Sequence, residues 1–426
     1  MLPKSAWSPI LEGPTRLRAC EVIDSATAEL GRFDQLAEAF DLDASLAGGW
    51  AGLALFWSYL DLSHSDAARP GNAIECLARA AQQVQDVGAP AGLFAGYAGL
   101  GWVARHLAEL GWEETPESEH LARVSKENVL EAVESDALSE DFDLVNGWVG
   151  VGVYLLELLP DRDAREALAT LIRRLAERAD PATGAWWTPS DLLAPSHRSL
   201  TPAGQFNLGV AHGIPAVIWL LAQAQAHGIE ERRCATLVAR VVPWLLNQAR
   251  RGKPGSVVPA FVATDYEPGW CRSAWCYGDP GFAAALFLSA DALGNSEWRA
   301  EALDLARAAA ARPPDATGVV DACLCHGAAG LAHLFNRLYH ASREETFRQA
   351  ARFWFADVLG RRQPGAGIAG YSAAYVDPGG QRHEEASPGL LEGTTGVALA
   401  LLAAVSDLAP DWDRMFLLSA RGVDKR

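Results

Sequence analysis

Apolar residues along this chain fall into two alternating patterns. In the first, an apolar run follows directly on a glycine turn with hardly a polar position. It occurs as GGWAGLALFWSYL (48–60), AGYAGLGWVARHL (95–107), NGWVGVGVYLLEL (146–158), AHGIPAVIWLL (211–221), CYGDPGFAAALFLSA (276–290), CHGAAGLAHLFNRLY (325–339) and LEGTTGVALALLA (391–403). In the second, apolar positions recur at helical spacing among charges, as in ATLIRRLAERA and REETFRQAARFWFADVL. The first pattern predicts helices buried on all sides, the second amphipathic helices that cover them.

Each glycine block reads glycine, two residues, glycine, except that Ala216 takes the last place in the fourth. The leading glycines are Gly49, Gly96, Gly147, Gly213, Gly278, Gly327 and Gly393, with steps of 47, 51, 66, 65, 49 and 66 residues. A step near fifty fits two helices and a loop, and the longer steps carry extra loop; this is the signature of a helical repeat. An open array needs polar caps, whereas here the first and last blocks are as apolar as the middle ones. The expected fold is therefore all-α: an (α/α)7 toroid of seven inner and seven outer helices. It is read as a single domain over 1–426, with the repeats spanning about 48–403 and an amphipathic lead at 17–40. Glycine at the start of each inner helix is expected to let backbones crowd and to accept positive φ.

Charge and cysteine usage narrow the function. A net charge of −17, from 53 acidic and 36 basic residues, repels nucleic-acid phosphates and suits a basic partner or peptide. Seven scattered cysteines suit a reducing compartment better than a disulfide scaffold. The first sixteen residues hold no apolar run of signal-peptide length, and the longest apolar stretches fall short of a membrane span. The expectation is a cytoplasmic protein that is not integral to a membrane, compatible with peripheral attachment to a membrane complex.

In a toroid the starts of the inner helices gather at one face, so side chains at the glycine turns should converge. Asp143 precedes the third turn, His212 lies in the fourth, Cys276 and Tyr277 in the fifth with Arg272 four residues before Cys276, Cys325 and His326 in the sixth, and Glu392 in the seventh. Two thiols and an imidazole are a soft, zinc-like donor set, and three protein donors leave a fourth position open. Cys276 and Cys325 hold equivalent places in adjacent blocks, which favours Cys325 over Cys323 as the ligand. Were Cys323 to bind as well, the site would be closed and structural. His212 is the candidate proton donor and acceptor or a further metal nitrogen, with Asp143 as its partner. The remaining histidines are assigned no chemistry.

The stretches NLGVAHGIP (207–215), RSAWCYGDPG (272–281), CHGAAG (325–330) and LLEGTTG (390–396) resemble those of the lanthionine synthetase C-like family, in order and spacing. Chain length resembles that of the free-standing class I lanthipeptide cyclases. The resemblance implies one zinc per chain held by Cys276, Cys325 and His326, catalysis by His212, and roles for Asp143, Arg272 and Tyr277, with Asp141 as rival to Asp143. It also implies the reaction. A peptide cysteine, activated as a zinc-bound thiolate, adds intramolecularly to dehydroalanine or dehydrobutyrine and forms a lanthionine or methyllanthionine thioether. The implied partners are a dehydrated lanthipeptide precursor with its leader, a lanthipeptide dehydratase and an export transporter. Alternatives are a glutathione-binding or thiol-transferring homologue, or a non-catalytic binding toroid with structural zinc. A glycoside-active toroid using Asp143 and Glu392 leaves both cysteines and His326 unexplained.

Overall fold

The structure, a computed structural model, describes residues 7–63, 69, 71–112, 114–135, 137–138, 140–193, 195–251, 255–264, 266–267, 270–377 and 381–422. In chain order its helices are α1 (Gly13–Leu30), α2 (Phe33–Phe40), α3 (Trp50–Leu62), α4 (Asn72–Val87), α5 (Tyr97–Glu109), α6 (Pro116–Glu134), α7 (Trp148–Glu157) and α8 (Arg162–Arg178). They continue with α9 (Pro195–Leu200), α10 (Ile214–Ala226), α11 (Glu231–Leu246), α12 (Asp279–Leu293), α13 (Ser296–Ala310), α14 (Ala328–Ser342), α15 (Glu345–Gly360) and α16 (Thr394–Val405). Strand is confined to two small antiparallel pairs, β1 (Phe206–Asn207) with β2 (Phe261–Val262), and β3 (Ala373–Val376) with β4 (Arg382–Glu385).

The two sequence patterns become two kinds of helix. Each of the seven apolar runs forms a helix that starts just after its leading glycine: α3, α5, α7, α10, α12, α14 and α16. Every residue of α7 and of α16 is buried. The charged segments form one-sided helices. In α8, Ala164, Ala167, Leu168, Leu171, Ile172 and Leu175 make one buried stripe at helical spacing, while the arginines and glutamates between them face outward.

The chain divides into two compact units. The first comprises 1–90, 94–127 and 319–412; the second 91–93, 128–318 and 413–426. In the first unit the buried helices α14, α16, α3 and α5 lie side by side in that order, with α15 covering α14 and α4 covering α3. The predicted lead becomes α1 and α2. Helix α1 covers α16, so the N-terminal helix completes the last repeat. Just ahead of α1, the Ile10 and Leu11 amides both donate to the Ala404 carbonyl, and the Trp7 indole donates to Ala403 at 2.8 Å. The first and last buried helices, α3 and α16, are thus neighbours. In the second unit α7, α10 and α12 lie side by side, covered by α8, α11 and α13.

The glycines at the helix starts are needed for space more than for φ. Gly147 is extended at φ −103°, but a Cβ there would lie 2.4 Å from the Asp141 carbonyl oxygen. Among the seven, only Gly278 has the expected positive φ, at 85°. The others are extended, and at Gly49, Gly147, Gly213, Gly327 and Gly393 the preceding loop folds back against the glycine and leaves no room for a side chain.

Candidate active site

The seven turns share a construction that shows which side chains are left for chemistry. Six residues before the leading glycine stands Asp43, Asp141, Asn207, Asp321 or Ser387 in five of the seven. Each side chain accepts a hydrogen bond from the backbone N–H two residues on, at 2.9–3.3 Å. This short polar side chain closes a local turn in place of a backbone carbonyl. The exceptions are Pro90 and Arg272, the latter in the turn whose glycine takes positive φ.

Neighbouring turns are also stitched together within each unit. In the first unit the Cys325 amide donates to the Leu391 carbonyl, Leu391 to Ala47, and Ala47 to Phe94, at 2.8–3.0 Å. In the second, Leu144 donates to Ala211, and Ala211 to Cys276, at 3.1 and 3.3 Å. Cys276 and Cys325 therefore occupy the same turn position, two residues before the glycine. His212, Tyr277, His326 and Glu392 share the next one, and Asp143 and Cys323 lie four before.

In the second unit the turns join His212 to Asp143. The His212 Nδ1–H donates to Asp143 Oδ2 at 2.5 Å, while Asp143 Oδ1 accepts from the Asn146 and Gly147 amides, both at 2.7 Å. The buried carboxylate is held from both sides, and among the described residues the exposed imidazole is hydrogen-bonded through Nδ1. Burial disfavours charge on His212, but the Asp143 hydrogen bond and charge, with Cys276 and Asp141 nearby, outweigh it and raise the pKa. Asp141 is turned to its own loop, with its carboxyl pushed up to about 6 by burial and by the Asp143 charge.

Tyr277 lies beside the same group. Its hydroxyl oxygen accepts from Asn207 Nδ2 at 2.9 Å, and burial raises its pKa above the ordinary phenol value, so it stays neutral. Its ring centroid is 6.4 Å from that of His212. Cys276 is buried two residues before Gly278. Arg272 is exposed, and among the described residues no hydrogen bond or ion pair joins it to His212, Asp143 or Tyr277. It occupies the place where other turns carry their closing side chain.

The first unit holds a Cys/His cluster. Asp321, Cys323 and His326 have donor atoms all within 4.8 Å of one another. Asp321 organises it: Oδ1 accepts from the Cys323 amide at 3.1 Å, Oδ2 accepts from Ala374 of β3 at 3.0 Å, and Oδ2 lies 3.4 Å from His326 Nε2. Burial opposes charge on both partners, yet their mutual contact holds Asp321 down at about 2, and with Cys323 lifts His326 to about 11. The buried Cys323 sulfur accepts from the His326 amide at 3.5 Å, and burial pushes its thiol up to about 11. Cys325 is half-buried, and exposed Glu392 comes within 3.7 Å of His326 Nδ1.

Asp321 and Asn207 escaped the sequence reading. Their signal was present, because both hold the position six residues before a leading glycine, where Asp, Asn or Ser recurs. The glycoside reading loses its base: both Asp143 oxygens are already engaged, two amides on one and His212 on the other.

The sequence model of a family described as lanthionine synthetase C-like protein matches residues 41–417. Nisin biosynthesis protein NisC of Lactococcus lactis subsp. lactis is 23% identical over 274 residues, 60% of this chain and 65% of that protein. The matched stretch thus spans less than two thirds of that relative's length. Among solved structures, a nisin cyclase superposes with a TM-score of 0.77 at 18% identity, covering 92% of this chain and 96% of that one. That likeness gives the fold, the α/α toroid that the glycine spacing predicts. A sugar epimerase from a ruminal bacterium reaches a TM-score of 0.46 at 10% identity, over 72% of this chain and 86% of that one, too distant to carry an argument. No helix among the described residues is long and apolar enough to cross a membrane.

Proposed function

The chain belongs to the lanthionine synthetase C-like family, and from that premise we propose that it is a zinc-dependent lanthipeptide cyclase, closing thioether rings in a dehydrated precursor peptide. The observation that carries the proposal is the exposed His212 imidazole, oriented through Nδ1 by a buried carboxylate, on a turn hydrogen-bonded to the one that carries Cys276. Such a pair is an acid–base device whose working nitrogen is Nε2.

Cys276, Cys325 and His326 are the proposed holders of one zinc per chain. Two thiols and one imidazole fit that ion and leave a position open, and the Asp321 carboxylate beside His326 Nε2 would hold the ring in place. The zinc, when bound, lowers the pKa of a peptide thiol so that it is a nucleophile at neutral pH.

The chain's own residues then manage the proton and the charge. The peptide sulfur bonds to the β-carbon of the dehydro residue, and the π pair moves onto the α-carbon and its carbonyl oxygen. His212 Nε2–H delivers a proton to the α-carbon, and Asp143 stabilises the imidazolium beforehand and restores its orientation afterwards. The proton lost by the thiol balances the one gained by carbon, so His212 ends each cycle as it began. Tyr277, neutral and held by Asn207, walls the site. Arg272, exposed beside this turn, is assigned to substrate charge.

The proposed partners are the precursor with its leader, the lanthipeptide dehydratase that must act first, and an export transporter. The acidic surface, net −17, suits a basic peptide segment. The proposed location is the cytoplasm, with peripheral membrane attachment through the biosynthetic complex. The test is to incubate the protein with dehydrated precursor and alkylate the remaining thiols. Ring closure removes alkylation sites without changing the unalkylated peptide mass. A precursor that keeps all its thiols would overturn the proposal, and a mass gain equal to added glutathione would favour a thiol-transfer role.

A further inference from the structure

The turns differ at one informative place. Of the five closed by a side chain six residues before the leading glycine, three use an aspartate and one a serine, whereas the fourth turn uses Asn207. Closing such a turn needs only an acceptor, which aspartate supplies equally well. Asparagine adds what aspartate lacks, an amide donor on the other side of the group. At Asn207 that donor is used. Its Oδ1 accepts from the Gly209 backbone N–H at 2.9 Å, and its Nδ2 donates to the Tyr277 hydroxyl oxygen at 2.9 Å.

This pair of bonds has a fixed polarity. A backbone N–H can only donate, so the Asn207 atom facing Gly209 is the oxygen and the one facing Tyr277 is the nitrogen. An amide nitrogen accepts nothing, so the Tyr277 oxygen is the acceptor and its own proton is left over. Among the described residues no acceptor takes that proton. Asn207 is held firmly: it is 2% exposed, and its main chain pairs with Phe261 of β2. The Tyr277 ring lies against the Gly209 backbone, where an added Cβ would come within 2.6 Å of it. The phenol of the fifth turn thus reaches across to the fourth, the turn of His212, with 6.4 Å between the two ring centroids. The charges of Cys276 and Asp143 both reach its hydroxyl.

We propose that Asn207 is a positioning residue of the cyclase, which fixes the polarity of the Tyr277 hydroxyl so that the neutral phenol meets the peptide as a hydrogen-bond donor. The reaction assigned to this site carries negative charge throughout, first on the thiolate and then on the enolate. A donor stabilises either anion, and an acceptor stabilises neither. Aspartate at this position would take the phenol proton for itself and leave the substrate only lone pairs. This role rests on the cyclase reading and makes Tyr277 more than a wall of the site.

The test compares Asn207→Asp, Asn207→Ser and Tyr277→Phe in steady-state ring closure. Both replacements at 207 are side chains that close other turns, aspartate at Asp43, Asp141 and Asp321 and serine at Ser387. A role confined to turn closure would leave both variants near wild type. Instead, Tyr277→Phe and Asn207→Asp should each lower kcat about 10²-fold, with KM for the peptide within about threefold and metal content unchanged. Asn207→Ser, which frees the hydroxyl without reversing it, should fall between Asn207→Asp and wild type. In the Tyr277→Phe background Asn207→Asp should cost nothing further, because no hydroxyl is left to reverse. Should the aspartate variant not fold, the same comparison with Asn207→Ser decides. In 15N spectra the Asn207 side-chain amide, assigned by its absence from the serine variant, should move upfield in Tyr277→Phe. An Asn207→Asp rate within about threefold of wild type, a loss confined to KM, an equal loss in the Tyr277→Phe background, or an unmoved amide signal would each overturn the role of Asn207 while leaving the cyclase reading intact. A wild-type chain that closes no ring would overturn both.

Discussion

At the scale of single residues, one question was which aspartate serves His212, since Asp141 and Asp143 stand two positions apart. The turn construction answers it. Asp141 does for its turn what Asp43, Asn207, Asp321 and Ser387 do for theirs, and Asp143 lies where its second oxygen can reach the imidazole. Asp141→Asn should therefore keep ring closure within severalfold, because asparagine already closes the neighbouring turn at Asn207. His212→Ala should lose about 10²–10⁴-fold of the ring-closure rate while retaining metal. Asp143→Asn should act through His212. Its raised pKa means that the charged pair stabilises the fold fully below the unfolded histidine value near 6.5, and that this contribution disappears as pH rises through the higher folded value. In an NMR titration the variant should bring the His212 midpoint down, and its stability should lose less between pH 6.5 and that folded value than the wild type does. An unmoved midpoint would contradict the pairing.

At the scale of elements, the pattern of apolar runs and glycines carried most of the architecture, because burial on every side leaves a helix no polar face and writes itself into sequence. What it could not carry was the reason for the glycines. Positive φ was expected, but of the seven only Gly278 has it; at Gly49, Gly147, Gly213, Gly327 and Gly393 the loop returns so closely that a Cβ would strike backbone. The difference is testable. Gly147→Ala should destabilise by about 1–3 kcal/mol through overpacking against Asp141, read as a lower urea midpoint at unchanged slope. Gly48→Ala, where an added Cβ meets nothing within 4 Å, should leave the midpoint nearly unchanged. The loop residues were less legible. The Asp, Asn or Ser six places before five of the seven glycines is one letter in a variable stretch, and its meaning appears only when the turns are aligned in space. Asp321 went unread for that reason, and so did Asn207.

At the scale of the whole molecule, the first and last repeats meet within one compact unit: α1 covers α16, and α16 lies against α3. The repeat series needs no polar cap at either end, as the apolar first and last blocks implied. The proposed zinc donors are Cys276, Cys325 and His326. Cys323 and Asp321 sit beside His326 and offer a competing donor set within a single unit. The measurement that separates the two arrangements is zinc per chain in the purified protein, taken alongside Cys276→Ala, Cys325→Ala and Cys323→Ala. The account predicts one zinc in the wild type and in Cys323→Ala, and loss of that zinc in Cys276→Ala and in Cys325→Ala alike. A metal-free wild type, or full zinc in the absence of Cys276, would contradict it.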